Sequence, residues 1–366
     1  MNKKGGCGVK KMSSMETAML YAGAYLGAGF VSGNELRQFF FDFGGRGYLG
    51  MLLAVLLLTA IGILVLRTVQ LGRLSRMDEL IVPRGRSGVR LLVGVCQAVF
   101  TISTFIIMCA GAGALLAQVT GLPTWIGSGV FCGVTAMVAC AGVQGMTRVF
   151  ALFVPLLVTA AFLLGCISAV GFDFGAAIAV RAQSDNVLMP HWILSALSYV
   201  GFNVGGSLGI FSAVEPMLGH PRTVVAGVGL SALLLLPTAF SVLTVLSGGG
   251  PQITNAEFPM LAYAWRLSPA AGVLYLLLLF GAMFGNALAA LVATAHYLGE
   301  TVPDIRRSPR RRILLLSVPC YALSLFGFSR LIGTLYPLFG YLSLFFIAAI
   351  LRHYLRLRRR VRQDSH

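Results

Sequence analysis

A glycine cluster followed by a carboxylate is the feature of this sequence that points most directly to chemistry. In the stretch YLGAGFVSGNELRQFF, Gly27, Gly29 and Gly33 precede Glu35 in otherwise apolar surroundings. Inside a membrane, backbone groups that leave a helix, and a charge beside them, are costly unless they line a protected polar cavity. The pattern therefore predicts a helix that breaks between Gly27 and Gly33 and forms part of a binding site.

A second glycine cluster lies in the apolar segment 190–218. Gly201, Gly205 and Gly206 occur there beside Asn203. Glycines four residues apart also mediate close helix packing, which requires no ligand, and this explains either cluster when it is taken alone. The occurrence of two such clusters, each with a polar residue beside it, favours a binding site made from two broken helices.

The chemistry expected of such a site follows from the helix ends. A break exposes amides at the start of one half-helix and carbonyls at the end of the other, so together they suit a zwitterion. We expect the carboxylate of a small zwitterionic solute near the amides of 31–33 and 205–207, and its ammonium near the carbonyls of Leu26, Ala28, Tyr199 and Gly201. The predicted substrate-binding residues are Leu26, Gly27, Ala28, Gly29, Phe30, Val31, Ser32, Gly33, Glu35, Thr104, Tyr199, Gly201, Phe202, Asn203, Gly205, Gly206 and Ser207.

Glu35 has three interpretations that the sequence leaves open. It could carry a proton, bind a cationic group of the solute, or form a structural ion pair with Arg37 or with another helix. Gln97 and Ser103 are further candidates for a polar cavity, although a polar amide inside a helix bundle is as often a contact between helices. The predicted ion-coupling residues are Gly27, Phe30, Glu35 and Asn286.

The elements that position these residues are transmembrane helices. With 57% hydrophobic residues, 11% charged residues and a mean hydropathy of +0.84, the 366-residue chain fits an all-α polytopic membrane protein with a single transmembrane domain. Ten apolar segments are predicted to cross the bilayer. They are 17–43, 48–72, 89–118, 124–143, 148–170, 190–218, 223–247, 270–297, 311–329 and 331–352.

The distribution of basic residues predicts the orientation. Most of the 28 Lys and Arg fall in the N-terminal segment, in alternate connections and in the C-terminal tail, which places both termini in the cytoplasm. The halves 17–170 and 190–352 then form an inverted five-plus-five repeat, with the two glycine clusters at corresponding positions. The basic tail 353–366 is expected to contact anionic lipid headgroups. The same distribution excludes nucleic acid as a partner, because no basic face of a soluble domain is present.

Residues 26 to 40 resemble the GAGFA-S/T-G-x-E signature of the YkvI-like bacterial membrane proteins, a family of the amino acid–polyamine–organocation (APC) superfamily with the LeuT-type fold. The resemblance implies a secondary transporter of the bacterial cytoplasmic membrane with helices 1 and 6 discontinuous. Mid helix 8 reads GAMFGNALAA, where Asn286 is the polar residue, so the resemblance leaves both H+ and Na+ open as the coupling ion.

These features predict a secondary active transporter of a small amino-acid-like solute that works by alternating access. The alternative is a membrane sensor of the same fold, similar to a germinant-receptor subunit, that binds its solute without moving it. An enzyme, a metal site and a cofactor are not expected, because no metal-ligand spacing or catalytic triad is present. The connection 248–269 is expected to be either an interfacial helix or an extracellular lid. Substrate identity and oligomeric state are not predicted.

Overall fold

The computed structural model describes residues 11–74, 77–82, 87–141, 146–180, 182, 184–301 and 308–363, and the described chain is helical almost throughout. The helices are α1 (Ser14–Tyr25), α2 (Ala28–Ser32), α3 (Asn34–Phe39), α4 (Gly45–Gly72), α5 (Met77–Ile81), α6 (Ser87–Thr120), α7 (Thr124–Ala141), α8 (Met146–Ser168), α9 (Phe174–Ala179), α10 (Trp192–Ala213), α11 (Pro221–Gly248), α12 (Pro251–Thr254), α13 (Pro259–Leu267), α14 (Pro269–Thr301), α15 (Pro309–Ser324) and α16 (Phe328–Gln363).

The helix lengths and compositions make this a multi-pass membrane protein. Among the described residues, α4, α6, α10, α11, α14 and α16 are each long and apolar enough to cross a bilayer, and α7 and α8 are shorter apolar helices. The other two predicted spans coincide with α1 to α3 and with α15. The count of ten crossings, and the division into halves 17–170 and 190–352, stay predictions. The tail 353–366 continues α16 as a helix up to Gln363.

Local sequence signals set several of the helix ends. A capping box starts α1: the Ser13 hydroxyl accepts from the Glu16 amide, and the Glu16 carboxylate accepts from the Ser13 amide. The imidazole of His220 caps α11, and Pro221 occupies the first position of that helix. The start of α1 and the start of α11 lie side by side, since Gly227 of α11 packs against Thr17 of α1.

Helix α10 is continuous, so the predicted break at Gly201 to Gly206 is wrong. Its glycines serve close packing instead: a Cβ at Gly201 would overlap the Gly340 carbonyl of α16, and a Cβ at Gly205 would overlap the Ser343 hydroxyl. Gly206 lies against the Phe100 ring of α6. Small residues thus let α10 approach α16 and α6 without interrupting its own hydrogen bonds.

The central position of the broken segment follows from its packing. α1 lies against α11 and α10, α2 against α14 and α13, and α3 against α10, α11 and α16. Tyr21, Tyr25 and Phe30 of this segment are almost completely buried. The break therefore lies inside the bundle, among the helices that can supply groups to a shared cavity.

Candidate solute-binding site

The first predicted span breaks twice. α1 ends at Tyr25, Leu26 leaves the helical conformation, and Gly27 is extended before α2 begins. α2 lasts five residues and ends at Gly33, whose φ of +88° lies in the left-handed region that favours glycine. The predicted break at Gly27 to Gly33 is therefore present, and Gly33 redirects the chain into α3.

Hydrogen bonds within α2 change the expected position of the free amides. The Val31 amide donates to the Gly27 carbonyl at 3.2 Å, and the Gly33 amide donates to the Phe30 carbonyl at 3.1 Å. The prediction that the amides of 31–33 receive a carboxylate is therefore wrong. A helix leaves its amides without intrahelical partners in its first turn, which in α2 begins at Ala28.

The continuity of α10 removes the backbone roles predicted for Tyr199, Gly201 and residues 205–207. A continuous helix uses these amides and carbonyls in its own ladder. In addition, the side-chain amide of Asn203 donates to the Tyr199 carbonyl at 2.9 Å, and the side-chain amide of Gln97 donates to the Gly205 carbonyl at 3.0 Å. These residues can contribute side chains or space to a site, but not unpaired backbone groups.

A cavity of about 510 Å³ opens beside the first break. Side chains and backbone of α1, α2, α3, α6, α10, α14 and α16 line it. Of the residues predicted to bind substrate or ion, those in its lining are Gly27, Ala28, Gly29, Glu35, Thr104, Phe202, Asn203, Gly206 and Asn286. This volume is in the range of small-molecule sites.

The remaining predicted residues lie outside the cavity lining. Phe30 and Val31 are buried in the core, and Ser32 donates to the Gly29 carbonyl at 2.8 Å, which stabilises α2. The Val31 carbonyl accepts a hydrogen bond from Tyr275 of α14. Those outside the lining are Leu26, Phe30, Val31, Ser32, Gly33, Tyr199, Gly201, Gly205 and Ser207. Their roles at the site stay predictions, and the geometry gives them support of the break rather than contact with a solute.

Glu35 is the acidic group of the cavity. Its side chain is 5% exposed, turns back toward α2 and packs directly on Gly29, where a Cβ would overlap Oε1. Tyr336 of α16 lines the same cavity as Glu35. Arg37 points away and donates to the Thr254 carbonyl at 2.7 Å, so within the described chain the predicted ion pair between Glu35 and Arg37 is not formed.

The other polar groups of the cavity differ in how far they are satisfied. Thr101 donates to the Gln97 carbonyl, and the Gln97 amide donates to α10. Within the described chain, the side-chain oxygen Oε1 of Gln97 is buried without a partner, whereas its backbone carbonyl is the group that accepts from Thr101. The Asn286 amide lies 3.6 Å from the position of a Cβ on Gly27, and no described residue bonds to it. Asn286 and Gly27 therefore bring an unpaired amide to the point where α1 and α2 separate.

Stacked aromatic rings form one wall of the cavity. Phe202 stacks on Tyr336 with ring centroids 3.6 Å apart, and Phe100 stacks on Phe202 at 5.3 Å. Sequence reasoning missed Phe100, Thr101 and Tyr336 as lining residues. Their spans were predicted, but only the packing of α6 and α16 against α10 shows which side chains point inward.

The cavity opens toward the face of the bundle where α10 ends. Gly206, Gly209 and Ile210, on successive turns of α10, line it and are exposed. The N-terminal segment lies at the same face, where the Met12 amide donates to the Met217 carbonyl at 2.8 Å. The exposed part of the cavity lining therefore lies toward the side that carries the N-terminus.

A hydrogen-bond network closes the opposite side. The side-chain amide of Asn34 donates to the Glu257 carbonyl and to the Ser329 hydroxyl, both at 2.8 Å. Gln38 donates to the Asn34 side chain and to the Ser329 carbonyl. These contacts tie α3 to the segment before α13 and to the start of α16.

The connection 248–269 folds over the break. It contains α12 and α13, and α13 packs Met260 and Pro259 against Gly33. Tyr263 is 9% exposed, and Trp265 packs on Gly272 of α14. The segment therefore has the buried packing expected of a lid.

A second cavity lies beyond this network. It has a volume of about 840 Å³ and is lined by Gln38, Asp42, Asp173 and Asp185 among others. Glu35 faces the first cavity and Gln38 faces the second, although the two residues are less than one helical turn apart. The network around Asn34 thus separates two cavities on opposite sides of α3.

Comparisons with known sequences identify relatives across most of the chain. No protein-family model matches it. The uncharacterized membrane protein YkvI of Bacillus subtilis (strain 168) is 27% identical over 351 residues, with 93% of this chain and 96% of the relative covered. The uncharacterized protein YyaD of the same organism is 27% identical over 347 residues, with the same coverage. The resemblance to YkvI seen in residues 26 to 40 is confirmed and extends over most of the sequence.

Similarity to solved structures identifies the fold. MhsT in complex with L-phenylalanine matches with a TM-score of 0.62 at 16% identity, covering 95% of this chain and 98% of that one. The chain has the LeuT-type fold. Mhp1, a nucleobase-cation-symport-1 family transporter, matches with a TM-score of 0.58 at 15% identity, covering 93% of this chain and 78% of that one. A Na+-coupled sialic acid symporter matches with a TM-score of 0.63 at 12% identity, covering 94% and 80%.

Within the LeuT-type fold, this chain keeps one of the two breaks that the resemblance implies. The first helix is interrupted at Leu26 to Gly27 and at Gly33, whereas α10 is not interrupted. The groups that line the cavity consequently come from one broken helix together with side chains of α6, α10, α14 and α16.

Proposed function

We propose that this protein is a secondary active transporter that moves a small, amine-bearing, amino-acid-like solute by alternating access. One observation carries the proposal: two cavities approach α3 from opposite sides, and the network around Asn34 closes the path between them. Alternating access requires a central site that is open to one side while the other side is closed. The similarity to transporters of the LeuT-type fold adds to this argument.

The chemistry of the cavity supports an amine as the recognised group. Among the described residues of its lining, Glu35 is the one acidic side chain, and none is Lys, Arg or His. A buried carboxylate is stabilised by a cation that enters beside it. The zwitterion predicted from the sequence relied on two breaks, and the single break at α1 and α2 supports the cationic half of such a solute most directly.

Two coupling ions match different parts of the same cavity. Glu35 offers a buried carboxylate that can take up and release a proton. The Asn286 side chain beside Gly27 carries one carbonyl oxygen, a group of the kind that Na+ prefers, although the atom nearest to Gly27 is its amide nitrogen. Separate H+ and Na+ gradients across a reconstituted membrane distinguish these alternatives.

We further propose that the protein lies in the bacterial cytoplasmic membrane with both termini in the cytoplasm. The excess of Lys and Arg in the N-terminal segment, in alternate connections and in the C-terminal tail supports this orientation. With this orientation, the cavity at Glu35 opens to the cytoplasm and the cavity at Gln38 opens to the outside.

Transport is tested by flux into proteoliposomes. We expect uptake of a labelled solute above the level of protein-free liposomes, driven by an imposed H+ or Na+ gradient and inhibited by excess unlabelled solute. Saturable binding without any flux would instead establish the alternative, a sensor of the same fold.

A further inference from the structure

The contact between Glu35 and Gly29 gives the chain a carboxylate of its own beside the break. The left-handed conformation of Gly33 turns α3 so that Glu35, six residues after Gly29, folds back over it. Any side chain at position 29 would overlap the Glu35 carboxyl group. Glycine at this position therefore makes room for the carboxylate and fixes where it lies.

This carboxylate stands where the carboxylate of a zwitterionic solute would have to bind. α2 is the segment whose first-turn amides face the break, and Glu35 already contacts it at Gly29. The continuous α10 offers no second set of free amides. No lining residue in the described part of the chain is cationic, and the neighbouring Arg37 is bonded to the Thr254 carbonyl. A second carboxylate would enter beside the Glu35 carboxyl group with no cationic partner among the described lining residues, which is unfavourable in a buried site.

We propose that the site selects a small organic amine that has no carboxylate group, with Glu35 pairing with the ammonium and Gly29 positioning Glu35. This inference rests on the transporter proposed above, and it narrows the solute from an amino-acid-like compound to an amine that lacks the carboxylate. The pairing of an ammonium with Glu35 leaves the buried carboxylate compensated, as a buried charge requires.

The aromatic wall indicates the form of the rest of the solute. Phe202 and Tyr336 stack closely, and both line the cavity together with Glu35, so the ring surface adjoins the place where the ammonium would lie. Flat aromatic faces attract both ammonium groups and other rings. An arylalkylamine therefore matches the carboxylate and the wall together.

Three compounds of the same skeleton test the inference: tyramine, L-tyrosine and 3-(4-hydroxyphenyl)propionate. They carry an amine, an amine with a carboxylate, and a carboxylate alone. Binding to the purified full-length protein is measured by thermal stabilisation over a concentration series. We expect tyramine to bind at least tenfold more tightly than L-tyrosine, and the propionate to cause no stabilisation.

The same series with Glu35→Gln assigns the selectivity to the carboxylate. We expect the advantage of tyramine over L-tyrosine to fall to within about twofold in this variant. Equal or tighter binding of L-tyrosine by the unmodified protein, an unchanged ratio in Glu35→Gln, or the absence of stabilisation by all three compounds would overturn the inference.

A second measurement does not depend on these compounds. In a chain whose native cysteines are replaced by serine, Thr104→Cys places one thiol in the cavity lining. The rate of its reaction with 2-aminoethyl methanethiosulfonate is divided by the rate with the anionic 2-sulfonatoethyl reagent. We expect Glu35→Gln to lower this ratio at least fivefold, and an unchanged ratio would contradict the inference. Flux without amine selectivity would support the proposed transport and overturn this inference. Amine selectivity without flux would support this inference and overturn the proposed transport.

Discussion

At the residue scale, the position of Glu35 depends on two glycines rather than on its own neighbours in sequence. Gly33 supplies the positive φ that turns α3, and Gly29 leaves the space into which the carboxyl group folds. Sequence analysis identified all three residues, because glycines beside a charge are costly in a membrane unless they serve a site. It left the role of Glu35 open, since only the fold reveals that Arg37 turns away and that Tyr336 approaches from a distant helix.

Gly29→Ala is predicted to weaken tyramine binding at least tenfold. The added methyl group would overlap the Glu35 carboxyl group and displace it from the break. The matched control is Gly23→Ala in α1, where a Cβ meets no atom within 4 Å. Titration of both variants with tyramine checks the prediction, and equal affinities would show that the position of Glu35 is unimportant.

At the element scale, α10 shows where sequence reasoning fails. Clustered glycines signal either a broken helix or a closely packed one, and the two cases look alike in sequence. The first span breaks because Gly27 and Gly33 adopt non-helical angles, whereas Gly201 and Gly205 keep helical geometry against α16. The partner surface that decides between these outcomes lies more than a hundred residues away in the chain.

Gly201→Ala is predicted to destabilise the protein by about 1–3 kcal/mol, the usual cost of overpacking a core. Its Cβ would overlap the Gly340 carbonyl of α16. Gly209→Ala, on the same helix, meets nothing within 4 Å and serves as the control. Melting temperatures in detergent compare the two. Equal melting temperatures would indicate that α10 does not pack on α16 in this way.

The closure around α3 predicts the effect of Asn34→Ala. This substitution removes hydrogen bonds to the Glu257 carbonyl and the Ser329 hydroxyl, so the second cavity should connect more often with the first. We expect Thr104→Cys to react several-fold faster with a membrane-impermeant thiol reagent added on the side of α13. Asn186→Ala, which removes a bond to the Gly333 carbonyl beside the same cavity, is the control. No difference between the variants would show that Asn34 does not hold the closure.

At the scale of the whole molecule, hydropathy predicted the architecture well. The predicted span 89–118 corresponds to α6, and 223–247 corresponds to α11, with ends displaced by one or two residues. Such agreement is possible because an apolar run that crosses a bilayer must satisfy its backbone as a helix, so the run itself marks the helix. The lining of the cavity could be predicted only in part, since Phe100 and Tyr336 reach it through packing of helices distant in sequence.

The orientation is predicted to place the connection 248–269 outside and the C-terminus in the cytoplasm. A pair of fusions with alkaline phosphatase and green fluorescent protein tests both positions, because the first is active outside and the second fluoresces in the cytoplasm. Fluorescence from a fusion at Gly250 would contradict the orientation. A fusion after Gln363 gives the matched comparison.

Transport across a sealed membrane is measured most directly as the flux of a labelled solute. Proteoliposomes containing the full chain are given imposed H+ or Na+ gradients and supplied separately with labelled tyramine and labelled L-tyrosine. We expect gradient-driven, saturable uptake above that of protein-free liposomes, with tyramine preferred and with loss of the preference in Glu35→Gln. Saturable binding to the purified protein, combined with uptake no greater than in protein-free liposomes, would contradict it.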